Sequence, residues 1–169
     1  MASLGLLAKD LTAAAVSFMS RNTATATVSA AEVGMKWGQG NMKQGMPWED
    51  YVGKSLPADA RLPLNFKTFF YYDGATKTAV SAKSMDTQTM EKLANPNQVY
   101  SSIKGNIDAA VNFKGYTLSN TPLTPGMIAN KEVQLAIPAN TKKMQWTEIN
   151  RAIEYGKSQS VKVTVTQVK

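Results

Sequence analysis

The sequence places two residues able to do phosphate chemistry, Ser81 and Lys83, near the end of a predicted strand. Side chains two apart on a strand share a face, so both point into the same space. A lysine beside an oxygen ligand, across from an acidic residue, suits metal-assisted attack on a phosphodiester. The metal would polarise the phosphoryl oxygen, and the ammonium would stabilise the developing charge. The alternative for so short a pattern is a surface hairpin with a solvated lysine.

These two residues belong to a stretch, 65–86, whose pattern predicts two strands joined by a tight turn. Residues 66–72 are rich in aromatic side chains, and 78–83 alternates small apolar with polar residues. Between them, Asp73-Gly74 is typical of a hairpin turn. The remaining elements must position this hairpin.

The chain has no histidine and no cysteine among its 169 residues. This excludes a disulfide framework, a thiol nucleophile, a Ser-His triad and the usual zinc ligands. A metal ion would therefore need oxygen ligands. The general base would have to be a carboxylate, a lysine or a metal-bound water.

The formal net charge is +7 and the isoelectric point is about 9.6. A basic protein favours a polyanionic partner, such as nucleic acid, a membrane surface or an acidic protein. No apolar run approaches the ~20 residues of a membrane span, so we expect no stable membrane insertion. The candidate nucleic-acid contacts are Lys36, Lys43 and Lys77. The first two lie in the glycine-rich segment 34–45, which would either cradle a phosphate or form a loop packed by Trp37.

A helix is predicted from about residue 46, with Trp48, Tyr51 and Val52 on its apolar face. Glu49 lies beside that stripe, where its carboxylate can point into a cleft. The alternative is an ordinary acidic residue near a helix start, which the helix dipole favours.

The rest of the chain predicts an α/β fold, with a mixed sheet flanked by helices. Residues 1–33 are interpreted either as an appendage or as a piece of a preceding domain, with a helix to about residue 19 and a polar linker over 21–30. Residues 34–169 form the main domain, with an interrupted helical stretch from 86 to 111. A strand over 131–138, a helix ending at Gly156 and a strand over 160–168 then close the chain.

The chain resembles the restriction-endonuclease-like PD-(D/E)xK superfamily. Within it, the sequence is similar to the C-terminal nuclease toxins of bacterial contact-dependent growth inhibition (CDI) effectors, over roughly 33–169. Three runs carry the similarity: KQGMPWEDYVGKSLPADARLP, NFKTFFYYDGATKTAVSAKSMDT and EINRAIEYGKSQSVKVTVTQVK.

The resemblance implies a metal-dependent nuclease delivered from a cell-surface effector into the cytoplasm of a neighbouring bacterium. The similar branch consists of zinc-dependent DNases, and a related branch cleaves tRNA. Zinc is therefore the favoured metal and DNA the favoured substrate, with magnesium or manganese and tRNA as alternatives. By position, Glu49, Ser81 and Lys83 match the catalytic set. The carboxylates of Asp73 and Asp86 are further candidate metal ligands.

One position departs from the family pattern, which has an aspartate metal ligand where this chain has Phe70. Phenylalanine cannot coordinate a metal, so the resemblance implies impaired activity. Strand alternation predicts that Phe70 and Tyr72 face the cleft, while Phe69 and Tyr71 face the other side. A basic module that binds nucleic acid without cutting it is the rival hypothesis.

A second hairpin is predicted over 116–125, turning at Asn120-Thr121, with prolines that mark it as exposed. An unpaired strand edge offers backbone donors and acceptors. Such toxins are neutralised by a cognate immunity protein, and the resemblance implies that some are held by strand addition. The candidate immunity-binding residues are Tyr116, Thr117, Leu118, Ser119, Asn120, Thr121, Leu123 and Thr124.

Overall fold

The computed structural model describes residues 24–169, and the helix predicted over 4–19 lies outside these residues. A five-stranded sheet with the order β1-β7-β6-β3-β2 forms the centre. Its neighbours pair in parallel except β2, which is antiparallel to β3. The strands of this sheet are β1 (Ala24–Val28), β2 (Tyr71–Asp73), β3 (Thr78–Ser84), β6 (Asn130–Pro138) and β7 (Val161–Val168).

Within residues 24–169, five α-helices and a separate two-stranded ribbon surround the sheet. The ribbon pairs β4 (Tyr116–Leu118) with β5 (Thr121–Leu123), and short 3-10 turns occur at Ala58–Ala60 and Pro125–Met127. The mixed sheet flanked by helices confirms the predicted fold class. The helices are α1 (Ala30–Val33), α2 (Gly45–Gly53), α3 (Met90–Ala94), α4 (Asn97–Val111) and α5 (Lys143–Ser158).

The apolar core has two parts, one on each face of the sheet. Helices α4 and α5 cover one face, where Val133 and Leu135 of β6 point inward. Helix α2 covers the opposite face, where its Trp48 packs with Val80 and Ala82 of β3. Alternate residues of a strand point to opposite faces, so each strand contributes to both parts. Helix α4 lies within the helical stretch predicted over 86–111, and its Val99, Ile103, Ile107 and Ala110, which recur at helical spacing, are fully buried.

The predicted first strand of the central hairpin is much shorter than expected. Asn65 and Thr68 adopt positive φ angles of 67° and 73°, so extended structure begins only at Tyr71. Phe70 donates its backbone N–H to the carbonyl of Val80, the residue that pairs with Tyr71. Two residues thus oppose one, as in a β-bulge.

This irregularity overturns the predicted alternation of side chains around Phe70. Phe70 and Tyr71 both pack on the α2 side of the sheet. Phe69 and Tyr72 pack on the side of α4 and α5. The prediction that Phe70 and Tyr72 share a face is therefore wrong, because the bulge interrupts the two-residue period.

The linker interpretation of residues 21–30 is also wrong from Ala24 onward. Strand β1 pairs in parallel with β7 at the edge of the sheet. The short helix α1 follows, capped by the Ser29 hydroxyl, and its Val33 is buried in the core beneath α2. The boundary predicted at residue 33 thus falls within packed structure.

Over residues 24–169, none of the helices combines the length and apolar character that crossing a membrane requires.

Candidate functional site

Helix α2 is fixed over the carboxyl end of β3 by three side-chain hydrogen bonds. Gln44, directly before α2, donates from Nε2 to the Ser84 hydroxyl at 3.0 Å. Its Oε1 accepts from the backbone N–H of Gly38 at 2.9 Å, which ties the glycine-rich loop to the same point. The indole of Trp48 donates to the Gln134 carbonyl on β6. These bonds hold one side of α2, including Glu49, beside the end of β3.

A second clamp joins α2 to the short strand β2. The Tyr71 hydroxyl donates to the backbone carbonyl of Glu49 at 2.8 Å and accepts from Arg61 at 2.8 Å. Arg61 also forms an ion pair with Asp50 at 3.0 Å. Gly53 permits this approach, since a Cβ there would lie 2.3 Å from the Tyr71 hydroxyl oxygen. The clamp therefore holds Glu49 near the positive charge of Arg61.

The structure brings Glu49, Lys83 and Phe70 together. Burial raises the pKa of Glu49, while the positive charges of Arg61 and Lys83 oppose that rise. The Lys83 ammonium lies 5.6 Å from the centre of the Phe70 ring, within the range of a cation–π contact. The two cations can bind an anionic group, and the half-buried carboxyl group of Glu49 can hold a proton near it.

Ser81 lies deeper in the same strand as Lys83 and is only 2% exposed. The two lysines of the glycine-rich loop, Lys36 and Lys43, are exposed and joined by a backbone hydrogen bond of 2.7 Å. Since Lys43 directly precedes Gln44, this loop borders the site. Its position agrees with the predicted role in binding phosphate, which stays a prediction.

Two predicted site residues, Asp73 and Lys77, lie at the amino end of β3, whereas Lys83 lies near its carboxyl end. Asp73 pairs with Thr78, the first residue of β3, and its carboxylate accepts from the Ala75 N–H within the turn. Lys83 is five residues further along, or about 16 Å at the rise of a strand. This separation excludes Asp73 as a ligand in a site built on Lys83. Lys77 lies in the same distant turn.

Asp86 follows β3 and remains a candidate. One of its carboxylate oxygens accepts from the Gln88 N–H at 2.9 Å. The side chain lines a pocket of about 420 Å³ beyond the carboxyl ends of β6 and β7, together with Trp37 and Asn140. Its role as a metal ligand stays a prediction.

The donor set around Lys83 does not fit a divalent metal. Within residues 24–169, no group of three or more histidine, cysteine, aspartate or glutamate side chains is arranged to hold one. Glu49 supplies one carboxylate and Ser81 one hydroxyl, and Phe70 supplies no donor. Divalent cations of this class take four or more ligands in proteins.

The hairpin predicted over 116–125 is confirmed, but its turn is formed by Ser119 and Asn120, both with positive φ. Leu123 was predicted as an immunity-binding residue, yet it is fully buried because it packs into the α4–α5 core. Tyr116 is 37% exposed and meets the ring of Phe66 edge-on. Leu123 thus anchors the hairpin in the core, whereas Thr117 and Pro122 are exposed to solvent.

Arg61, Tyr71 and Gln44 were not among the predicted site residues. Tyr71 was placed on the face away from the cleft, and its real orientation depends on the bulge. Arg61 and Gln44 act through partners that lie 10 and 40 residues away in sequence. No local pattern in the sequence indicates such contacts.

The chain was compared with protein families, curated proteins and solved structures. Residues 44–166 match the family model described as CDI toxin restriction endonuclease-like domain. The chain is 80% identical over its full length to "Deoxyribonuclease CdiA-o11" of Escherichia coli O157:H7 (strain EC869), covering 45% of that protein. It is 70% identical to "Deoxyribonuclease CdiA" of Yersinia pseudotuberculosis serotype O:3 (strain YPIII), covering 16% of it. The chain thus spans less than half the length of either relative.

A solved structure agrees with these matches. It is the CdiA-CT/CdiI toxin and immunity complex from Yersinia pseudotuberculosis, with a TM-score of 0.68 and 68% sequence identity. The match covers 73% of this chain and all of the other. The family model alone spans well over half of the chain. The chain therefore belongs to the family of CDI toxin restriction endonuclease-like domains.

Proposed function

We propose that this chain is the toxin domain of a CDI effector and that its substrate is DNA in the cytoplasm of a neighbouring bacterium. The observation that carries the proposal is that Glu49 lies close enough to Lys83 and Arg61 for their charges to affect its pKa, in a member of this family. Two relatives with at least 70% identity carry the name deoxyribonuclease, which favours DNA over tRNA. The net charge of +7 suits a polyanionic substrate.

In this proposal Lys83 binds the scissile phosphate and stabilises its developing charge. Arg61 adds positive charge to the same cleft but is largely committed to Asp50 and Tyr71. Glu49, with its raised pKa, holds or releases a proton near the reacting phosphate. Ser81 lies on the same strand but pairs with Val133, so its buried hydroxyl faces the α4–α5 side of the sheet and not α2.

We further propose that Phe70 leaves the metal site of this domain incomplete. A ring stands beside Lys83 where a second carboxylate would be needed to share a cation with Glu49. With phenylalanine at position 70, the chain should therefore bind DNA but cut it weakly or not at all. For the completed site we favour zinc, and magnesium or manganese are the alternatives.

The test is a plasmid-nicking assay on the wild-type protein and on Phe70→Asp, each with zinc, magnesium or manganese and with EDTA. We expect cutting only by Phe70→Asp, and only with metal. Phe70→Asn is the matched control, because asparagine is polar and similar in size to aspartate but carries no charge. Strong EDTA-sensitive cutting by the wild-type protein would show that other residues form the metal site. Total tRNA cut in preference to plasmid would overturn the choice of substrate.

We also propose that a cognate immunity protein binds the β4–β5 hairpin by adding a strand. The support is the toxin and immunity complex among the similar structures and the open edge of the hairpin. Thr117 pairs with Pro122, which has no N–H, so this is a non-hydrogen-bonded pair. The backbone N–H and C=O of Thr117 consequently point outward.

Thr117→Pro tests this proposal, because it removes the outward donor while proline remains tolerated on an edge strand. Thr117→Ala is the control, since it changes only the side chain. We expect Thr117→Pro to weaken immunity binding strongly and Thr117→Ala to bind normally. Equal affinities for both variants would place the interface elsewhere. Deleting the hairpin is a poorer test, because it would also remove the buried Leu123.

A further inference from the structure

A pocket of about 610 Å³ opens where β6 and β7 begin, beside the last turns of α5. Its floor is apolar, formed by Ile153, Val161 and Val163, and three lysines also line it. Lys131 lies on the same face of the sheet as Val161, whereas Lys162 pairs with Glu132 at the edge of the opposite face. We call it the lysine pocket, defined by Lys131, Lys157 and Lys162. Because β3 runs parallel to β6, this pocket lies at the end of the sheet opposite Lys83.

The charges around the lysine pocket are unbalanced. Lys157 pairs with Glu154 at 3.2 Å, but both side chains are 62% exposed and the pair is screened by water. Glu132, which also lines the pocket, accepts hydrogen bonds from Gln134 and Thr164 within the sheet. Across residues 24–169, no carboxylate lies within 4.0 Å of the ammonium groups of Lys131 or Lys162. The pocket therefore offers positive charge to an incoming anion.

Lys131 is the most constrained of the three lysines. Its ammonium lies 3.5 Å from the carbonyl of Val111, at the end of α4. Burial lowers its pKa, and the nearby charge of Lys114 lowers it further. An anion placed between these cations would relieve both effects.

The lysine pocket adjoins the β4–β5 hairpin through both of the hairpin's connections. Lys114, which lies close enough to Lys131 to affect its charge, stands two residues before β4. After β5 the chain returns to Asn130, the first residue of β6 and part of the pocket wall. Both connections of the hairpin therefore lead to residues in or beside the pocket, which makes the pocket the natural extension of an interface on the hairpin.

We propose that the lysine pocket receives a glutamate or aspartate side chain of the immunity protein, extending the interface centred on the hairpin. This rests on the hairpin interface in the proposed function. The apolar floor suits the methylene stem of an acidic side chain, whose carboxylate then meets Lys131, while Lys157 and Lys162 add positive charge at the edges of the pocket. A DNA phosphate has no apolar branch to fill the floor, so DNA is the less suitable occupant.

The test measures the affinity of the cognate immunity protein for Lys131→Met, Lys162→Glu and the double variant, at low and high salt. We expect the double variant to bind about tenfold or more weakly, with a smaller salt dependence. Lys54→Glu is the matched control, because it makes the same charge change at an exposed site on the α2 side. Circular dichroism checks folding, and the exposed Lys162 provides a reading even if Lys131→Met destabilises the protein. Unchanged affinity in Lys162→Glu and in a folded Lys131→Met would overturn the inference.

The comparison with Thr117→Pro separates the two proposals. If Thr117→Pro abolishes binding while the lysine variants bind normally, the hairpin interface stands and the pocket inference fails. If the lysine variants lose affinity while Thr117→Pro binds normally, the pocket is supported and the hairpin interface fails. DNA affinity is measured on the same variants. Weaker DNA binding with unchanged immunity binding would make the pocket a nucleic-acid surface and overturn the inference.

Discussion

Gly53, the last residue of α2, packs against the ring of Tyr71, and alanine at this position should destabilise the protein. A Cβ there would lie 2.3 Å from the Tyr71 hydroxyl oxygen and 2.7 Å from Cζ, well inside van der Waals contact. The ring cannot easily turn aside, because it is 4% exposed and its hydroxyl is bonded to Arg61 and to the carbonyl of Glu49. Forcing such a contact costs about 1–3 kcal/mol of folding free energy.

Gly105, in the interior of α4, is the matched control. Outside the backbone of its own helix, no heavy atom lies within 4 Å of a Cβ at this position. Alanine should stabilise the protein there by about 1 kcal/mol, the usual gain over glycine in a helix. In a domain of this size, each kcal/mol shifts Tm by about 2–4 °C. Thermal melts should therefore place Gly53→Ala below the wild-type protein and Gly105→Ala above it.

Tyr71→Phe tests the proposed cause directly, because it removes the atom nearest to the added methyl group. The loss of stability in Gly53→Ala/Tyr71→Phe should be smaller than the sum of the two single losses, as for residues in contact. Strict additivity, or a Gly53→Ala protein as stable as Gly105→Ala, would refute the packing of α2 against Tyr71. The same experiment reports on the clamp that positions Glu49.

Three further predictions concern the cleft. Burial raises the pKa of Glu49 in the folded protein above its ordinary value of 4.5. As the pH rises above that value, the carboxyl group ionises more readily in the unfolded chain than in the folded protein, so the folded protein becomes less stable. Glu49→Gln should therefore raise Tm at pH 7, and melts across the pH range should show the gain vanishing below pH 4.5. Lys83→Ala, placed in the Phe70→Asp background, should abolish plasmid nicking while the melting curve stays cooperative. Fluorescence anisotropy should show DNA affinity falling steeply between about 50 and 200 mM salt, and Lys43→Glu should make that dependence shallower.

Local periodicity made much of the fold predictable. The stripe of Val99, Ile103 and Ile107 recurs at helical spacing, and all three side chains are fully buried. Strand β7 was predicted from its alternation of valine with polar residues as half-buried. The strand is confirmed, but both of its faces are largely buried, since Val165 packs in one part of the core and Val168 in the other. Strand β1 was missed because its sequence, ATATV, is small and polar, and its pairing with β7 joins residues more than 130 positions apart.

The candidate site was predictable only in part. The family resemblance supplied Glu49 and Lys83, and in the structure they lie close enough for the charge of Lys83 to affect the pKa of Glu49. The bulge at Phe70 could not be predicted, because it depends on the positive φ of Thr68 and on a hydrogen bond to Val80. Asp73 was proposed as a ligand from its position in the sequence, but the register of β2 and β3 carries it to the far end of the hairpin.

Strand β3 separates the two surfaces proposed for this domain. Lys83 stands near its carboxyl end in the DNA cleft, whereas Thr78, at its amino end, lines the lysine pocket. About 16 Å of strand lies between these two residues. Side chains in one surface therefore make no direct contact with those in the other, and substitutions at such distances usually act independently. A change at Phe70 can then alter cutting without altering the immunity interface, so a domain that has lost its metal site would still bind its immunity protein. Immunity affinity measured for the wild-type protein and for Phe70→Asp should be equal, and a large difference would show that the partner reaches the cleft.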